Sequence, residues 1–336
     1  MHDNNINVGI VGCGHIAQKH MTAIDEQSHA LSCVAICDTS EARLEGFYSD
    51  RSLARYHSLE ALLAHDDLDL VVLCTPSGLH REQAIACARA DVNVLCEKPL
   101  AVSLDDARAI EMAFSDGQAS IFIVKQVRYN PCIQYVKNLM QVQAFGSLYH
   151  VGLNAYWSRP QAYFDAAPWR GTKALDGGML FNQMIHCIDL LEWLFGPLNT
   201  IGAQSVRLAR EIETEDVVTS SLVWNSGAVG SFNATILATP HNFETTLVIL
   251  GSRGVVKLGG AGLNEIEYSM LETDVAKPNL ADHDVSWHGA LYADVVRDLG
   301  STDSPSYAPS LASAIRDIEL IEAMYRSSAT QSFVTV

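Results

Sequence analysis

Short apolar runs alternate with helical patterns along the first 125 residues. The runs are rich in β-branched residues, which is typical of strands buried on both faces. The predicted strands are 6–11, 31–37, 70–74, 92–96 and 121–124. Predicted helices separate them at 16–24, 59–64, 80–90 and 103–114. Strands that alternate with helices at this spacing predict an α/β domain with a parallel, doubly wound sheet.

The pattern changes after residue 126, where longer segments of alternating polar and apolar residues dominate. Such alternation predicts a mostly antiparallel open sheet, with strands at 148–157, 201–206, 217–224, 228–236, 243–250 and 255–258. Helices are predicted at 131–140, 179–195, 286–299 and 308–327. We therefore predict two domains, a first α/β domain at 1–125 and an α+β domain at 126–336. The last helix, 308–327, is expected to return to the first domain.

The sheet of the second domain needs cover on both faces. One face is expected to pack on helices, including 179–195, and a second subunit is expected to cover the other.

Composition narrows the class of partner. The formal net charge is −17, which argues against binding to nucleic acid or to anionic membranes. The eight cysteines are scattered through apolar runs without a C-x-x-C pair, as expected for reduced thiols in the cytoplasm. The first residues lack a charged n-region and a long apolar h-region, so no signal peptide is expected, and no apolar run approaches the length of a membrane span.

A glycine-rich turn follows the first predicted strand. It reads Gly12-Cys13-Gly14-His15-Ile16-Ala17, a G-x-G-x-x-A pattern that opens a helix. Gly12 permits the tight turn, Gly14 allows close approach of a pyrophosphate, and Ala17 allows close packing of helix on sheet. The helix N-terminus adds N–H groups for the phosphates. The pattern predicts a Rossmann domain that binds a dinucleotide.

Asp38 ends the second predicted strand. A carboxylate there binds the adenosine ribose hydroxyls and repels a 2′-phosphate, which favours NAD over NADP. Arg43 could accommodate that phosphate and is counted among the cofactor contacts. The structural alternative is that Asp38 caps the helix that starts near Ser40.

The stretch Glu97-Lys98-Pro99 ends another predicted strand, at the edge where such sheets bind ligands. Lys98 is a candidate proton-transfer group, and a cis Lys98-Pro99 bond is possible. The alternative is a strand-end ion pair beside a turn proline. Thr75, Pro76 and His80 lie at the same edge and could line a nicotinamide site. For His80 the alternative is a solvent-facing residue at a helix N-terminus.

The predicted helix 179–195 carries Asn182 and His186 four residues apart, hence on one face, with Asp189 close by. A lone helical histidine is more often a core residue than a catalyst, but this face is polar. No H-E-x-x-H and no Cys/His cluster at ligand spacing is present, so no metal site is predicted.

Taken together these motifs resemble the Gfo/Idh/MocA oxidoreductases. The resemblance rests on five motifs in order: Gly12-x-Gly14-x-x-Ala17, Asp38, Thr75-Pro76-Ser77, Glu97-Lys98-Pro99 and Gly177-Gly178-x3-Asn182-x3-His186-x2-Asp189. It implies a Rossmann domain with a C-terminal α+β domain, oxidation or reduction of sugars or cyclitols, and a dimer or tetramer paired through the open sheet. Lys98 and His186 would flank the reacting carbinol. The family often has an aspartate at the position of Asn182. An asparagine cannot act as an acid or a base there.

A narrower resemblance, to the WlbA branch of that family, covers 156–194. It rests on the segments Arg159-Pro160-Gln161, Tyr163-Phe164-Asp165, Trp169-Arg170-Gly171-Thr172, Leu175-Asp176-Gly177-Gly178 and Asn182-Gln183. It implies oxidation of the C3 hydroxyl of UDP-N-acetylglucosaminuronic acid on the way to bacterial surface sugars, and an asparagine at position 182.

The hypothesis is therefore an NAD-dependent dehydrogenase in which Lys98 and His186 act as base and polariser, in either order. Asn182, Arg159, Tyr163 and Asp189 are the expected substrate contacts, and Arg159 is expected to pair with an anionic group. The further expected cofactor contacts are Glu97, Lys98, Gln126, Trp169 and Arg170. Glu97 could orient Lys98 instead. Arg159 and Arg170 could also be plain surface arginines. 2-Oxoglutarate is a possible oxidant of the bound NADH.

Three other functions stay open from the sequence. They are a dehydrogenase of free sugars or inositol, a glycosidase that uses tightly held NAD⁺, and a dinucleotide-binding regulator without catalysis.

Overall fold

The computed structural model describes residues 5–280, 286–300 and 308–336. The chain divides into two compact units, so far as it is described. One comprises Met1–Gln126 and His283–Ile315, and the other comprises Val127–Asp282 and Arg316–Val336. Each unit therefore contains a segment from near the end of the chain.

The first unit is built around a six-stranded sheet. Its strands are β1 (Ile6–Val11), β2 (Leu31–Cys37), β3 (Ala54–Tyr56), β4 (Leu70–Leu73), β5 (Asn93–Cys96) and β6 (Ile121–Ile123). Its first helices are α1 (His15–Glu26), α2 (Glu41–Gly46), α3 (Leu59–Leu63), α4 (His80–Arg89) and α5 (Leu104–Ser115). The strand order is β3-β2-β1-β4-β5-β6 and every pairing is parallel. The doubly wound fold is confirmed, and the order reverses beside β1, where such sheets bind dinucleotides.

The second unit contains an eight-stranded sheet. Its strands are β7 (Leu148–Tyr156), β8 (Leu198–Val206), β9 (Val217–Trp224), β10 (Val229–Thr235), β11 (Glu244–Gly251), β12 (Gly254–Gly259), β13 (Glu265–Leu271) and β14 (Val334–Thr335). The order is β13-β12-β11-β7-β10-β9-β8-β14, and only β7 and β10 pair in parallel. The mostly antiparallel sheet is therefore confirmed.

The helices of this unit between residues 131 and 195 are α6 (Pro131–Gln141), α7 (Gln161–Asp165), α8 (Met179–Asn182) and α9 (Ile185–Phe195). Helix α9 packs on one face of the sheet, as predicted. On β9, Trp224 is 1% exposed and its indole N–H donates to the carbonyl of Leu191 on α9 at 3.2 Å. Phe195 also meets the Trp224 ring edge-on. The helix that bears His186 is thus anchored to the sheet.

The prediction of one continuous helix over 179–195 is wrong. The chain forms α8 and α9 with a break at Gln183 and Met184. The Met184 amide donates to the carbonyl of Met179, five residues back, so one residue is extra in that turn. Asn182 and His186 therefore belong to two different helices rather than to one helical face.

Two helices near the end of the chain follow: α10 (Trp287–Leu299) and α11 (Leu311–Thr330). Helix α10 belongs to the first unit and packs against α1. Ser286 caps α10 and its hydroxyl also donates to a Glu26 carboxylate oxygen at 2.9 Å. The covering of α1 is therefore supplied by residues more than 250 positions away.

The eight cysteines, all among the described residues, form no disulfide, and seven of them are buried. Burial disfavours the thiolate, which is the reactive form of cysteine. No helix in the described ranges is long and apolar enough to cross a membrane.

Candidate active site

The glycine-rich turn joins β1 to α1 as predicted. Gly12 has φ +93°, and a Cβ there would lie 2.8 Å from the carbonyl oxygen of Cys74, so only glycine fits. Gly14 caps α1, and a Cβ on it would meet nothing within 4 Å. Ala17 is fully buried, whereas His15 is exposed and Ile16 partly so, at the helix start. The N-terminus of α1 thus faces open space that suits a pyrophosphate.

Asp38 holds the second loop of this edge. One carboxylate oxygen accepts the Cys13 amide at 2.9 Å, and the other accepts the Ser40 amide at 2.9 Å. The side chain is nearly buried, and a guanidinium nitrogen of Arg43 lies 3.7 Å away. The capping alternative is therefore part of the structure. The ribose role of Asp38 stays a prediction.

His80 lies inside the first unit, so the solvent-facing alternative is wrong. It is fully buried, with Nδ1 2.8 Å from the carbonyl oxygen of Pro99 and Nε2 3.0 Å from that of Thr75. Burial lowers its pKa. Each ring nitrogen lies within hydrogen-bond distance of a backbone carbonyl oxygen, and the neutral ring can donate to one of the two, so this geometry favours a structural role over cofactor contact. Thr75 donates to the Gln83 side chain, and Pro76 precedes a short 3-10 helix, Ser77–Leu79.

Glu97 is the centre of a buried hydrogen-bonded chain. One of its oxygens accepts the Lys98 amide at 3.0 Å, and the other accepts His20 Nε2 at 3.0 Å. His20 Nδ1 lies 2.9 Å from the Tyr292 hydroxyl, and both residues are fully buried. Burial alone would raise the pKa of Glu97, but the bond to His20 and the charges of His20 and Lys98 lower it to about 2. A fixed carboxylate thus holds the backbone of Lys98.

Lys98 itself is half-buried, and the Lys98-Pro99 bond is cis, a possibility that the sequence left open.

His288 on α10 completes the surroundings of His20. Burial and the nearby His20 lower the pKa of His288 to about 4, and its buried Nε2 has no hydrogen-bond partner among the described residues.

One ligand atom each from His20, Glu97 and His288 lies within 4.8 Å of the others, a grouping that could hold a metal ion. No sequence motif predicts this grouping, because the three residues lie far apart along the chain. Two of these ligand atoms are bonded to each other. We therefore interpret the cluster as a support for Glu97.

In the second unit, Asn182 is fixed at the end of α8. Its amide donates to a carboxylate oxygen of buried Asp176, whose other oxygen accepts the Gly171 amide at 2.8 Å. His186 is half-buried in the first turn of α9, after the helix break. The Asn182 amide is thus held by the carboxylate of Asp176, a residue of the quoted motif to which the sequence assigned no role.

Asp189 does not stand open to a substrate, which corrects its predicted role. It is 4% exposed, and its two oxygens accept Arg128 Nε at 2.8 Å and Nη2 at 2.5 Å. The Arg128 guanidinium also stacks on Trp193 at 4.9 Å. This bidentate pair is a packing feature of the second unit.

Arg159, Tyr163, Trp169 and Arg170 come together in the segment after β7. The Arg170 guanidinium lies 4.2 Å from the centre of the Tyr163 ring and 5.5 Å from that of Trp169. The Arg159 guanidinium lies 5.5 Å from the centre of the Tyr163 ring. Such stacking holds the cations in place without neutralising them. Gln126, the remaining predicted cofactor contact, begins a short 3-10 helix, Gln126–Tyr129.

Glu215 is a buried acid that the sequence reasoning missed. It accepts the Leu180 amide at 2.8 Å and the Tyr325 hydroxyl at 2.9 Å, which ties α8 to α11. Burial raises its pKa to about 7 against these bonds, and the charge of Asp176 adds to the effect. A lone glutamate before a strand carries no pattern that would have revealed this.

We expect this acid to make stability depend on pH. A folded pKa of about 7, above the ordinary 4.5, means that the folded state favours the protonated form. The contribution of Glu215 to the free energy of unfolding is therefore fully present below pH 4.5 and is lost as the pH rises to 7. The urea concentration at the midpoint of unfolding should fall less in Glu215→Gln than in wild type as the pH rises from 4.5 to 7. The exposed Glu272→Gln should behave like wild type, and an equal loss in Glu215→Gln would contradict the assignment.

Comparison with known proteins supplies the family. Residues 6–123 match the model of the oxidoreductase family with an NAD-binding Rossmann fold, and residues 133–257 match the Gfo/Idh/MocA C-terminal domain. Together they cover most of the chain and follow the order of the two predicted domains.

Similar solved structures include two WlbA dehydrogenases, each in complex with NADH and UDP-GlcNAcA. That from Bordetella pertussis is 35% identical, with a TM-score of 0.92 and 99% of each chain covered. That from Chromobacterium violaceum is 36% identical, with a TM-score of 0.91 and coverage of 100% of this chain and 97% of the other. D-apiose dehydrogenase of Paraburkholderia graminis is 28% identical over 85% of this chain and 76% of its own.

The family match agrees with the glycine turn, the parallel sheet and the placement of Glu97 and Lys98 at the carboxyl edge. This chain is an NAD-dependent oxidoreductase of the Gfo/Idh/MocA family.

Proposed function

We propose that the protein oxidises the C3 hydroxyl of UDP-GlcNAcA with NAD⁺. The observation that carries the proposal is the similarity, at 35% identity over 99% of the chain, to a dehydrogenase solved with NADH and UDP-GlcNAcA. The WlbA branch that the sequence resembles has an asparagine at the position of Asn182, which agrees with the proposal. Arg159 agrees with it as well, because its guanidinium pairs with no carboxylate among the described residues. An anionic sugar suits an arginine stacked on Trp157 and Tyr163.

The residues present fit the cofactor. Gly12, Gly14 and the start of α1 offer a backbone cradle for the pyrophosphate, and Asp38 would bind the adenosine ribose. When bound, NAD⁺ accepts the hydride that leaves C3 of the sugar. Glu97 holds the Lys98 backbone, as its 3.0 Å bond to that amide requires.

The chain's own part in the chemistry is to move one proton. The hydroxyl proton must leave as the hydride leaves, because a secondary alcohol donates hydride poorly until charge builds on its oxygen. Lys98 and His186 would divide the two tasks of taking this proton and polarising the oxygen. Asn182, held by Asp176, would hold a sugar hydroxyl or His186.

The experiment is to mix protein, NAD⁺ and UDP-GlcNAcA and to follow the absorbance of reduced nicotinamide, with and without 2-oxoglutarate. We expect NADH to appear, or the 3-keto sugar to accumulate once the 2-oxo acid reoxidises bound cofactor. Absence of both, from protein that binds NAD⁺, would refute the proposed substrate.

A free-sugar dehydrogenase is the second candidate, since D-apiose dehydrogenases are among the relatives. Inhibition by UDP alone separates the two, because a free-sugar enzyme has no use for a nucleotide site. We further propose pairing of subunits through the sheet of the second unit, where Tyr149 on the central strand β7 is 59% exposed and Met270 on the edge strand β13 is 62% exposed. A monomer in sedimentation experiments would contradict this.

A further inference from the structure

A cleft of about 670 Å³ opens within the second unit, between the segment at 170–172 and the loop at 207–213. Three arginines line it: Arg170, Arg207 and Arg210. A chain with 22 basic and 39 acidic residues has no general attraction for anions. A concentration of three guanidinium groups around one cleft is therefore a local device.

These three guanidinium groups pair with no carboxylate in the described part of the chain. Their bonds go to backbone carbonyls instead. Arg170 Nη1 donates to Tyr163 at 2.8 Å, Arg210 Nε donates to Arg159 at 2.7 Å, and Arg207 donates to Ile212. Each guanidinium has five N–H donors, so most remain for a ligand. The buried Nε of Arg170 has no partner among the described residues.

The walls of the cleft are held rigidly. Asp216 is fully buried, and its carboxylate accepts the amides of Leu208, Ala209 and Arg210 at 2.8 to 2.9 Å. The Glu213 amide donates to the carbonyl of Gly171 at 2.8 Å, which ties one wall to the other. The arginines are thus positioned before any ligand arrives, which reduces the entropy lost on binding.

Two acids, Glu211 and Glu213, also line the cleft. Glu213 accepts the Lys173 amide at 2.7 Å and is engaged in the wall. A lining of cations with a few acceptors suits a ligand that carries phosphate together with hydroxyl or N–H groups, rather than a bare inorganic anion.

We propose that the cleft of Arg170, Arg207 and Arg210 binds the diphosphate of the nucleotide-sugar substrate. The inference rests on the proposed function, and it names the residues that make the substrate a nucleotide sugar rather than a free sugar. Arg159 stands beside this cleft through its carbonyl bond to Arg210, so one anionic end of a sugar could reach it.

The test is calorimetric titration of the whole protein with UDP and, separately, with NAD⁺. In Arg207→Gln/Arg210→Gln we expect UDP to bind ~10- to 100-fold more weakly, the loss of two charge-assisted contacts. NAD⁺ affinity should stay within about twofold, which also shows that the variant is folded. Arg253→Gln is the matched control, since Arg253 is an exposed arginine of the same unit that also bonds a backbone carbonyl.

Unchanged UDP affinity in the double variant would overturn the inference, as would wild-type protein that does not bind UDP. Loss of NAD⁺ binding with UDP binding retained would assign the cleft to the cofactor's diphosphate and likewise overturn it. Binding of UDP needs no turnover. If wild type binds UDP through these arginines but leaves UDP-GlcNAcA unoxidised, the cleft stands and the proposed function fails.

Discussion

Lys98→Ala should lower turnover by ~10²- to 10⁴-fold while leaving NAD⁺ affinity close to that of wild type. The expected loss is that of a positioned proton-transfer group. Its backbone is fixed by Glu97, so the substitution removes the amine without releasing the loop. Turnover is measured with whichever substrate proves active, and NAD⁺ affinity is measured by titration of nucleotide fluorescence.

Lys19→Ala is the matched control, because Lys19 is an exposed lysine of the same unit, on α1. It should retain full turnover. A Lys98→Ala protein within about twofold of wild type would end the assignment of Lys98 as acid or base.

Arg128→Met should destabilise the second unit by about 3–5 kcal/mol in the free energy of unfolding. The side chains of Arg128 and Asp189 are 12% and 4% exposed. Methionine keeps apolar packing against Trp193 but removes the guanidinium that both oxygens of the buried Asp189 accept from. Urea denaturation followed by tryptophan fluorescence measures the change.

The ion pair of Arg297 and Asp294 on α10, in the first unit, gives the control. Arg297 is 51% exposed, so Arg297→Met should cost about 0–1 kcal/mol. Adding Asp189→Leu to Arg128→Met should restore most of the loss, because no charge is then left buried. A double variant as unstable as Arg128→Met would show that the cost lies in packing.

The sequence predicted the elements whose cause is local. Apolar runs such as Leu70–Leu73 are strands because both faces are covered, and Gly12 marks a turn because nothing larger fits. It missed β3, β13 and β14. Residues of β13 alternate with charge at the edge of the sheet, and β3 and β14 are only 3 and 2 residues long. Short edge strands carry too little apolar pattern to be recognised.

Candidate site residues could be named from the sequence where they belong to a motif. Contacts between residues that are distant along the chain could not. The partner of His20 is Tyr292, which is 272 positions away, and Asp189 is neutralised by Arg128, 61 positions away. No spacing along the chain contains either pairing. Asn182 and His186 fit a helical face by count, but the break at Met184 depends on packing around α8.

The closing of α1 by α10 has a consequence for how the protein is made. Residues 5–126 leave the ribosome first with all six strands of the nucleotide-binding sheet, yet His20 still lacks Tyr292 and His288. The packing around His20 is therefore completed only when α10 has been translated, near the end of the message. A chain that stops before α10 would carry every glycine of the cofactor turn but would lack the partners of His20, the residue that bonds Glu97.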